Sequence, residues 1–185
     1  MEFNFFTLVF LFAILTSVLA LLWLNFRQDK AIDNSFDSVP DGFSETIKLE
    51  DHQKAGRYTK AKLLLNHFEI IFSTIVLLVW TLGGAMNWID GYWSQKIDDP
   101  VLMGTFFVLS IMLIASFIDL PFSIYRNFVL EQKFGFNRMS AGTFAADLIK
   151  EVILSLILVL PLIYAILYLM NIESIGNYWW VYVWA

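Results

Sequence analysis

Apolar positions in this chain gather into unbroken stretches rather than into the one-sided stripes of a surface helix. Four of them run roughly Phe5–Leu24, Leu63–Leu82, Val101–Ile124 and Ile149–Met170, and a fifth apolar and aromatic run opens at Tyr178 and reaches Ala185. At 1.5 Å per residue, each of the four is long enough to cross about 30 Å of hydrocarbon as a helix. The pattern predicts an all-α, polytopic membrane fold of four complete transmembrane helices plus the start of a fifth. A soluble reading fails on size, because 185 residues with 58% hydrophobic content could not enclose so much apolar surface.

Phe5–Leu24 reads as a retained span and not as a cleaved leader. Only Glu2 stands in the charged position before it, and Leu21-Leu22-Trp23-Leu24 carries the apolar run past the weak cleavage imitation at Val18-Leu19-Ala20.

Charge sets the expected orientation. Eleven of the twelve basic residues fall in two connections: Asn25–Lys62 carries Arg27, Lys30, Lys48, Lys54, Arg57, Lys60 and Lys62, and Tyr125–Lys150 carries Arg126, Lys133, Arg138 and Lys150. Spans two and three are joined by a segment with Lys96 alone, beside Asp90, Asp98 and Asp99, and after span four there is only Glu173. The positive-inside rule then makes the two basic connections cytoplasmic and the N-terminus external. The compartment follows the source, a bacterial inner membrane or the endoplasmic reticulum. Trp80, Trp88, Tyr92, Trp93, Tyr178, Trp179 and Trp180 gather at the outer level, where an amphipathic ring suits the headgroup region.

Composition removes several chemistries. There are no cysteines, so disulfides, thiolate zinc sites and cysteine nucleophiles are excluded. His52 and His67 are the only histidines, too few for a His-rich metal site. The net charge of −5 comes with no basic face, so nucleic acid is not an expected partner; the lipid bilayer is.

The basic connections carry the local detail. Pro40 and Gly42 break structure in the first; from Leu49 the residues favour helix, with Glu50 and Lys54 in the favourable i,i+4 order, and one long helix is expected from Leu49 to Leu82. In the second, Pro121 lacks a backbone donor and should end or kink the helix near Leu120, placing Asp119 just before the break. Asp119 can then reach water or pair with Arg126. The aromatics of Phe134-Gly135-Phe136-Asn137 cannot all face water, so this turn should pack on something.

Two ordered blocks also carry a resemblance. Val39-Pro40-Asp41-Gly42-Phe43, then Leu49 to Ala55, then Tyr58-Thr59-Lys60-Ala61-Lys62, resembles the first cytoplasmic segment of the type 1 CAAX prenyl proteases, integral-membrane zinc metalloendopeptidases. Leu120-Pro121-Phe122-Ser123-Ile124-Tyr125, followed by Phe128-Val129-Leu130-Glu131 and Phe134-Gly135-Phe136-Asn137, is similar to a second stretch of that family. The resemblance covers essentially all of residues 1–185 as an N-terminal transmembrane domain, and only the N-terminal half of such an enzyme. It implies a structured cytoplasmic loop that includes Pro121, Tyr125, Arg126, Glu131, Gly135 and Asn137.

In that family zinc is held by an H-E-x-x-H helix and a distant glutamate, downstream of the region matched. This chain has no H-E-x-x-H: Gln53 follows His52, and Phe68 and Glu69 follow His67. No pair of imidazoles stands at i,i+4, so the chain as given holds no zinc and is expected to be inactive alone. Its implied partners are a zinc-bearing C-terminal half, on the same chain or another, and a peptide substrate. A fifth run cut in its first turns reads as a shortened gene, an isolated domain or one piece of a split protein.

The family encloses a water-filled intramembrane chamber, which makes His67, Glu69 and Asp119 candidate lining residues; the alternative is interfacial snorkelling or a helix–helix hydrogen bond. Asp147 and Glu151, with Lys150, read as a solvated face at the entry of span four. A non-catalytic membrane scaffold remains an alternative, as does a small proton-coupled transporter. The latter would need an inverted repeat and a midplane helix break that the sequence does not offer. A lone half-chamber would expose polar groups to lipid, so poor stability is expected when the chain is expressed alone.

Overall fold

A computed structural model describes residues 4–174 and 176–184. Among them are four helices long and apolar enough to cross a membrane: α1 (Phe5–Asn34), α2 (Leu49–Thr81), α4 (Pro100–Phe134) and α5 (Ala141–Asn171). A shorter helix, α3 (Ala85–Ser94), lies between α2 and α4, and α6 (Trp179–Trp184) follows a single 3-10 turn at Gly176–Tyr178. No strand occurs among the described residues. The chain divides into two compact units: one holds α1, α2 and residues Ile124–Asn137, and the other holds Gly84–Ser123 and the residues from Arg138 onward.

In the first unit, the side chain of Asn4 accepts the Thr7 N–H at 2.9 Å and starts α1. The helix does not stop where its apolar run ends at Leu24. It continues through Arg27, Gln28, Asp29 and Lys30 to Asn34, so part of the segment expected as a connection is helix. Pro40 and Gly42 do break structure, and the chain turns on bonds from Phe43 N–H to the Pro40 carbonyl (2.8 Å) and Ile47 N–H to the Phe43 carbonyl (2.9 Å). α2 then runs unbroken from polar into apolar sequence, as expected.

Gly56 has a packing reason to be glycine. A Cβ there would stand 3.2–3.3 Å from Phe36 and Ile32, so the end of α1 lies directly against α2. The same contact is tied by Lys60 to Asp33 (2.7 Å) and Asp29 (3.5 Å), and by the His52 ring to the Ser35 carbonyl (2.7 Å). Higher up, the side-chain amide of Asn66 donates to Asn25 at 3.3 Å. Asn25 is buried, and its own Nδ2 has no partner. The anticipated Glu50–Lys54 pair does not form: Lys54 lies over the Phe136 ring instead, 5.4 Å from its centroid.

In the second unit, the Asp99 carboxylate accepts the Leu102 N–H at 2.7 Å and caps α4. Ile89, Val101, Thr105 and Leu109 are buried. The indole N–H of Trp93 donates to Ser110 Oγ at 2.9 Å while its ring stacks on Phe106, centroids 5.1 Å apart. A Cβ at Gly104 would stand 3.1 Å from Leu167, so α4 and α5 approach closely there. Pro161 cannot donate to the Ile157 carbonyl, and α5 relaxes into π winding over Ser155–Val159 just before it.

Pro121 corrects one expectation: α4 does not end near Leu120. It passes through Pro121, which is exposed, to Tyr125 and then winds as a π-helix over Arg126–Glu131 before a last turn to Phe134. A proline in a spanning helix is tolerated where local winding and side chains re-satisfy the freed groups. Very little of the apolar surface is covered: none of the most apolar window of α1 or of α5 is buried. That surface suits a hydrocarbon solvent, where Leu beside lipid loses nothing.

Candidate functional site

The most chemically dense region lies within the first unit, where the polar lower turns of α2 meet the end of α4. π winding explains how. In an α-helix, residues five apart are about 140° apart around the axis, whereas the i→i+5 bonding of a π-helix brings them round to the same side. Arg126 and Glu131 are five apart and bracket the π stretch, and both reach α2. The Arg126 guanidinium donates to the Glu69 carboxylate, and the Tyr58 hydroxyl donates to that of Glu131.

Below this, Gly135 takes φ = +80°, a conformation a side chain disfavours, and closes the helix. The N–H groups of Phe136 and Asn137 turn back to the Glu131 carbonyl at 2.9 and 3.2 Å. This reversal brings Phe134 and Phe136 edge-on to the Tyr58 ring, at 5.3 and 4.9 Å between centroids. The surface on which the aromatic turn was expected to pack is therefore Tyr58, with Lys62 over the same ring at 5.2 Å.

A cleft of about 430 Å³ opens above the clamp, with Gln28, Lys62, Asn66, Glu69 and Arg126 among its lining residues. Its lining is mixed, with Leu63 and Leu65 beside these polar groups, where the apolar run of α2 begins. Such groups at that depth face protein or water, because lipid satisfies none of them.

The named candidates fall as follows. Glu69, Arg126, Glu131 and Gly135 join one cluster, and Asn137 closes its turn. Tyr125 and Pro121 are exposed on α4. His67 bonds through Nδ1 to the Leu63 carbonyl of its own helix, at 2.7 Å. Asp119 is exposed and belongs to the second unit, and the partner of Arg126 is Glu69. Asp147 and Lys150 form an exposed pair at 3.1 Å, as a solvated face would.

Tyr58 and the Asn25–Asn66 contact were not singled out as site residues by their sequence. The one available signal was that Tyr58 stands inside the first resemblance block. Zinc does not fit the residues described: no group of three or more His, Asp or Glu could hold a metal among them, and each histidine ring has a nitrogen engaged by a backbone carbonyl.

Comparison with known proteins agrees with the resemblance. The family model described as CAAX prenyl protease N-terminal, five membrane helices, matches residues 28–185. The CAAX prenyl protease 1 homolog of Caenorhabditis elegans is 30% identical over 162 residues, covering 88% of this chain and 35% of that protein. The homolog of Dictyostelium discoideum is 31% identical over 170 residues, covering 88% and 38%. The crystal structure of S. mikatae Ste24p shares the fold, with a TM-score of 0.80 at 22% identity over 92% of this chain and 40% of that one. The chain thus spans little more than a third of the length of the curated relatives it matches.

Proposed function

Because this chain belongs to the family of CAAX prenyl protease N-terminal membrane domains, we propose that it forms part of the wall and the substrate access of an intramembrane chamber in a zinc endopeptidase. Its substrates would be CAAX-type C-termini or other membrane-delivered peptides, and the zinc and general base would come from a C-terminal half. In a bacterial source the task would be membrane-protein quality control instead of the processing of prenylated substrates. This chain's own contribution is to bind, orient and admit water, not to activate it.

The observation that carries this reading is the group of charged and amide side chains that line a cleft where the apolar run of α2 begins. Glu69 and Arg126, with Lys62, Asn66 and Gln28, give charged and amide groups to a surface that a lipid-facing wall would not keep. His67, on the same helix as Glu69, is proposed to line the same water-containing space. The clamp of Tyr58, Glu131 and the Phe134–Phe136 turn fixes the loop that would frame the entrance on the basic, cytoplasmic side.

The test has two steps. An antibody to residues 33–62 applied to source membranes reads the mass of the native product, and a band well above 21.4 kDa places a further half on the same chain. That product, or this chain expressed with the H-E-x-x-H half from the same source, is then assayed on farnesylated and unmodified CAAX peptides. Cleavage that requires both halves and is lost to a chelator is the expected result. A native band at the mass of this chain, with no zinc-bearing partner co-purifying and no cleavage of either peptide, would overturn the reading in favour of a scaffold.

A further inference from the structure

Most cations of the first unit are held in one of two ways. Lys60 and Arg126 are neutralised by carboxylates, on Asp29 and Asp33 for the first and on Glu69 for the second. Lys54, Arg57 and Lys133 form no ion pair among the described residues. Each lies over an aromatic face instead: Lys54 over Phe136 at 5.4 Å, Arg57 over Phe36 at 6.0 Å and Lys133 over Phe134 at 5.9 Å. A ring attracts and orients a cation but carries no net charge, so the positive field of all three survives. They line one cleft of about 500 Å³, together with Lys60, Ala61 and Phe134.

The cleft also has a defined level. Ala61 stands two residues before Leu63, where the apolar run begins, and Lys54 stands nine before it. Along the helix axis that is about 3 Å to about 14 Å. Headgroups occupy roughly the first 5–8 Å beyond the hydrocarbon, within reach of long side chains that snorkel. A concave site of this size at this height, with three unneutralised cations and an apolar ring in its wall, matches a phosphate carried on an apolar anchor.

We propose that the cleft bounded by Lys54, Arg57 and Lys133 binds the phosphate of an anionic phospholipid in the leaflet that the basic turns face. The cations take the phosphate oxygens, and Phe134 lies beside the start of the acyl chains. Lys60 is a wall residue, since its charge is already matched. Occupancy would draw together α2 and the end of α4, which supply the cations, and so would load the same clamp that Tyr58 and Glu131 form. The proposal stands whether or not the chain serves a peptidase.

The test uses the full chain in a neutral detergent, titrated with phosphatidylglycerol or phosphatidylcholine and followed by native mass spectrometry. Each Lys or Arg near an anionic surface contributes about 1 kcal/mol, about fivefold in affinity. Lys54→Gln/Arg57→Gln/Lys133→Gln should therefore weaken retention of phosphatidylglycerol at least tenfold and leave phosphatidylcholine unchanged. A charge-matched control, Lys30→Gln/Lys48→Gln/Arg138→Gln, should change either lipid by less than threefold. Circular dichroism checks that helix is kept; if the triple variant loses it, Arg57→Gln and Lys133→Gln are read singly and should each cost about fivefold.

Equal retention of the two lipids by the native sequence, or equal losses in the two triple variants, would overturn the proposal. Complete displacement of phosphatidylglycerol by millimolar inorganic phosphate would do so as well, by assigning the cleft to a soluble anion.

Discussion

The bond between Tyr58 and Glu131 offers the sharpest test of how the end of α4 is held. Tyr58→Phe removes one hydroxyl and leaves the ring on Phe134 and Phe136 in place. A hydrogen bond to a charged group is worth about 1.5–3 kcal/mol net. Both partners are half-buried, so solvent recovers part of this and about 1–2 kcal/mol remains. Tyr58→Ala also removes two edge-on aromatic contacts, at about 0.5–1.5 kcal/mol each. The loss falls on the local opening of the Gln132–Asn137 turn rather than on the apolar stretches of α2 and α4, which lie outside these contacts.

Amide exchange reads that opening directly. The N–H groups of Phe136 and Asn137 are bonded to the Glu131 carbonyl, so they exchange only when the turn opens. At about 1.4 kcal/mol per tenfold, Tyr58→Phe should speed their exchange by roughly 5–30-fold, and Tyr58→Ala by on the order of 100-fold or more. Glu131→Gln breaks the same bond from the other side. A Tyr58→Phe/Glu131→Gln double variant should thus be little worse than the poorer single, with a coupling of about 1–2 kcal/mol. Exchange within twofold of the native rate in Tyr58→Phe, or strict additivity in the cycle, would refute the clamp.

Four further outcomes are expected. Arg126→Gln strands the part-covered Glu69 carboxylate at the start of an apolar run and should lower resistance to unfolding in mixed SDS micelles by about 1 kcal/mol, while Arg126→Gln/Glu69→Gln should recover most of it, since a matched neutral pair leaves no unpaired charge at that depth. Gly135→Ala meets no atom within 4 Å, so its cost is conformational, about 1–2 kcal/mol from the left-handed backbone, and Phe136 exchange should rise by roughly tenfold. The natural absence of cysteine makes single-cysteine labelling clean: Asp98→Cys should react with an impermeant maleimide from outside, Asp41→Cys only after permeabilisation, and the reverse would invert the topology. The isolated chain in detergent should melt without a sharp transition, and a cooperative melt at a high midpoint would contradict its dependence on a further half.

The spans were legible because their solvent is hydrocarbon. An unbroken apolar run of the right length needs no partner to declare itself, and α2 was readable even through Gly56. What the sequence hid is everything set by distant partners. Phe134 and Phe136 announced that they must pack, but Tyr58 lies more than seventy residues earlier, and no local pattern points there. Arg126 had an acidic neighbour in sequence at Asp119 and went to Glu69. Lys54 had Glu50 one turn away and went to a ring on another element.

Pro121 shows the same limit from the backbone side. In water its missing donor argues for a helix end, but here the ring sits on an exposed face and the helix runs on. The compensating irregularity comes after it, at Arg126–Glu131, where the π turn brings a guanidinium and a carboxylate into line with one partner helix. Periodicity cannot reveal that shift, since apolar spacing reports which face meets the core and this segment meets α2 through polar groups. The phase of α4 at its end is therefore set by its two long-range bonds. Deleting a single residue between Arg126 and Glu131 would restore α-helical pitch and leave the two four apart on one face, so both bonds to α2 should survive it, whereas a regular α-helix through all six residues would turn one of them away.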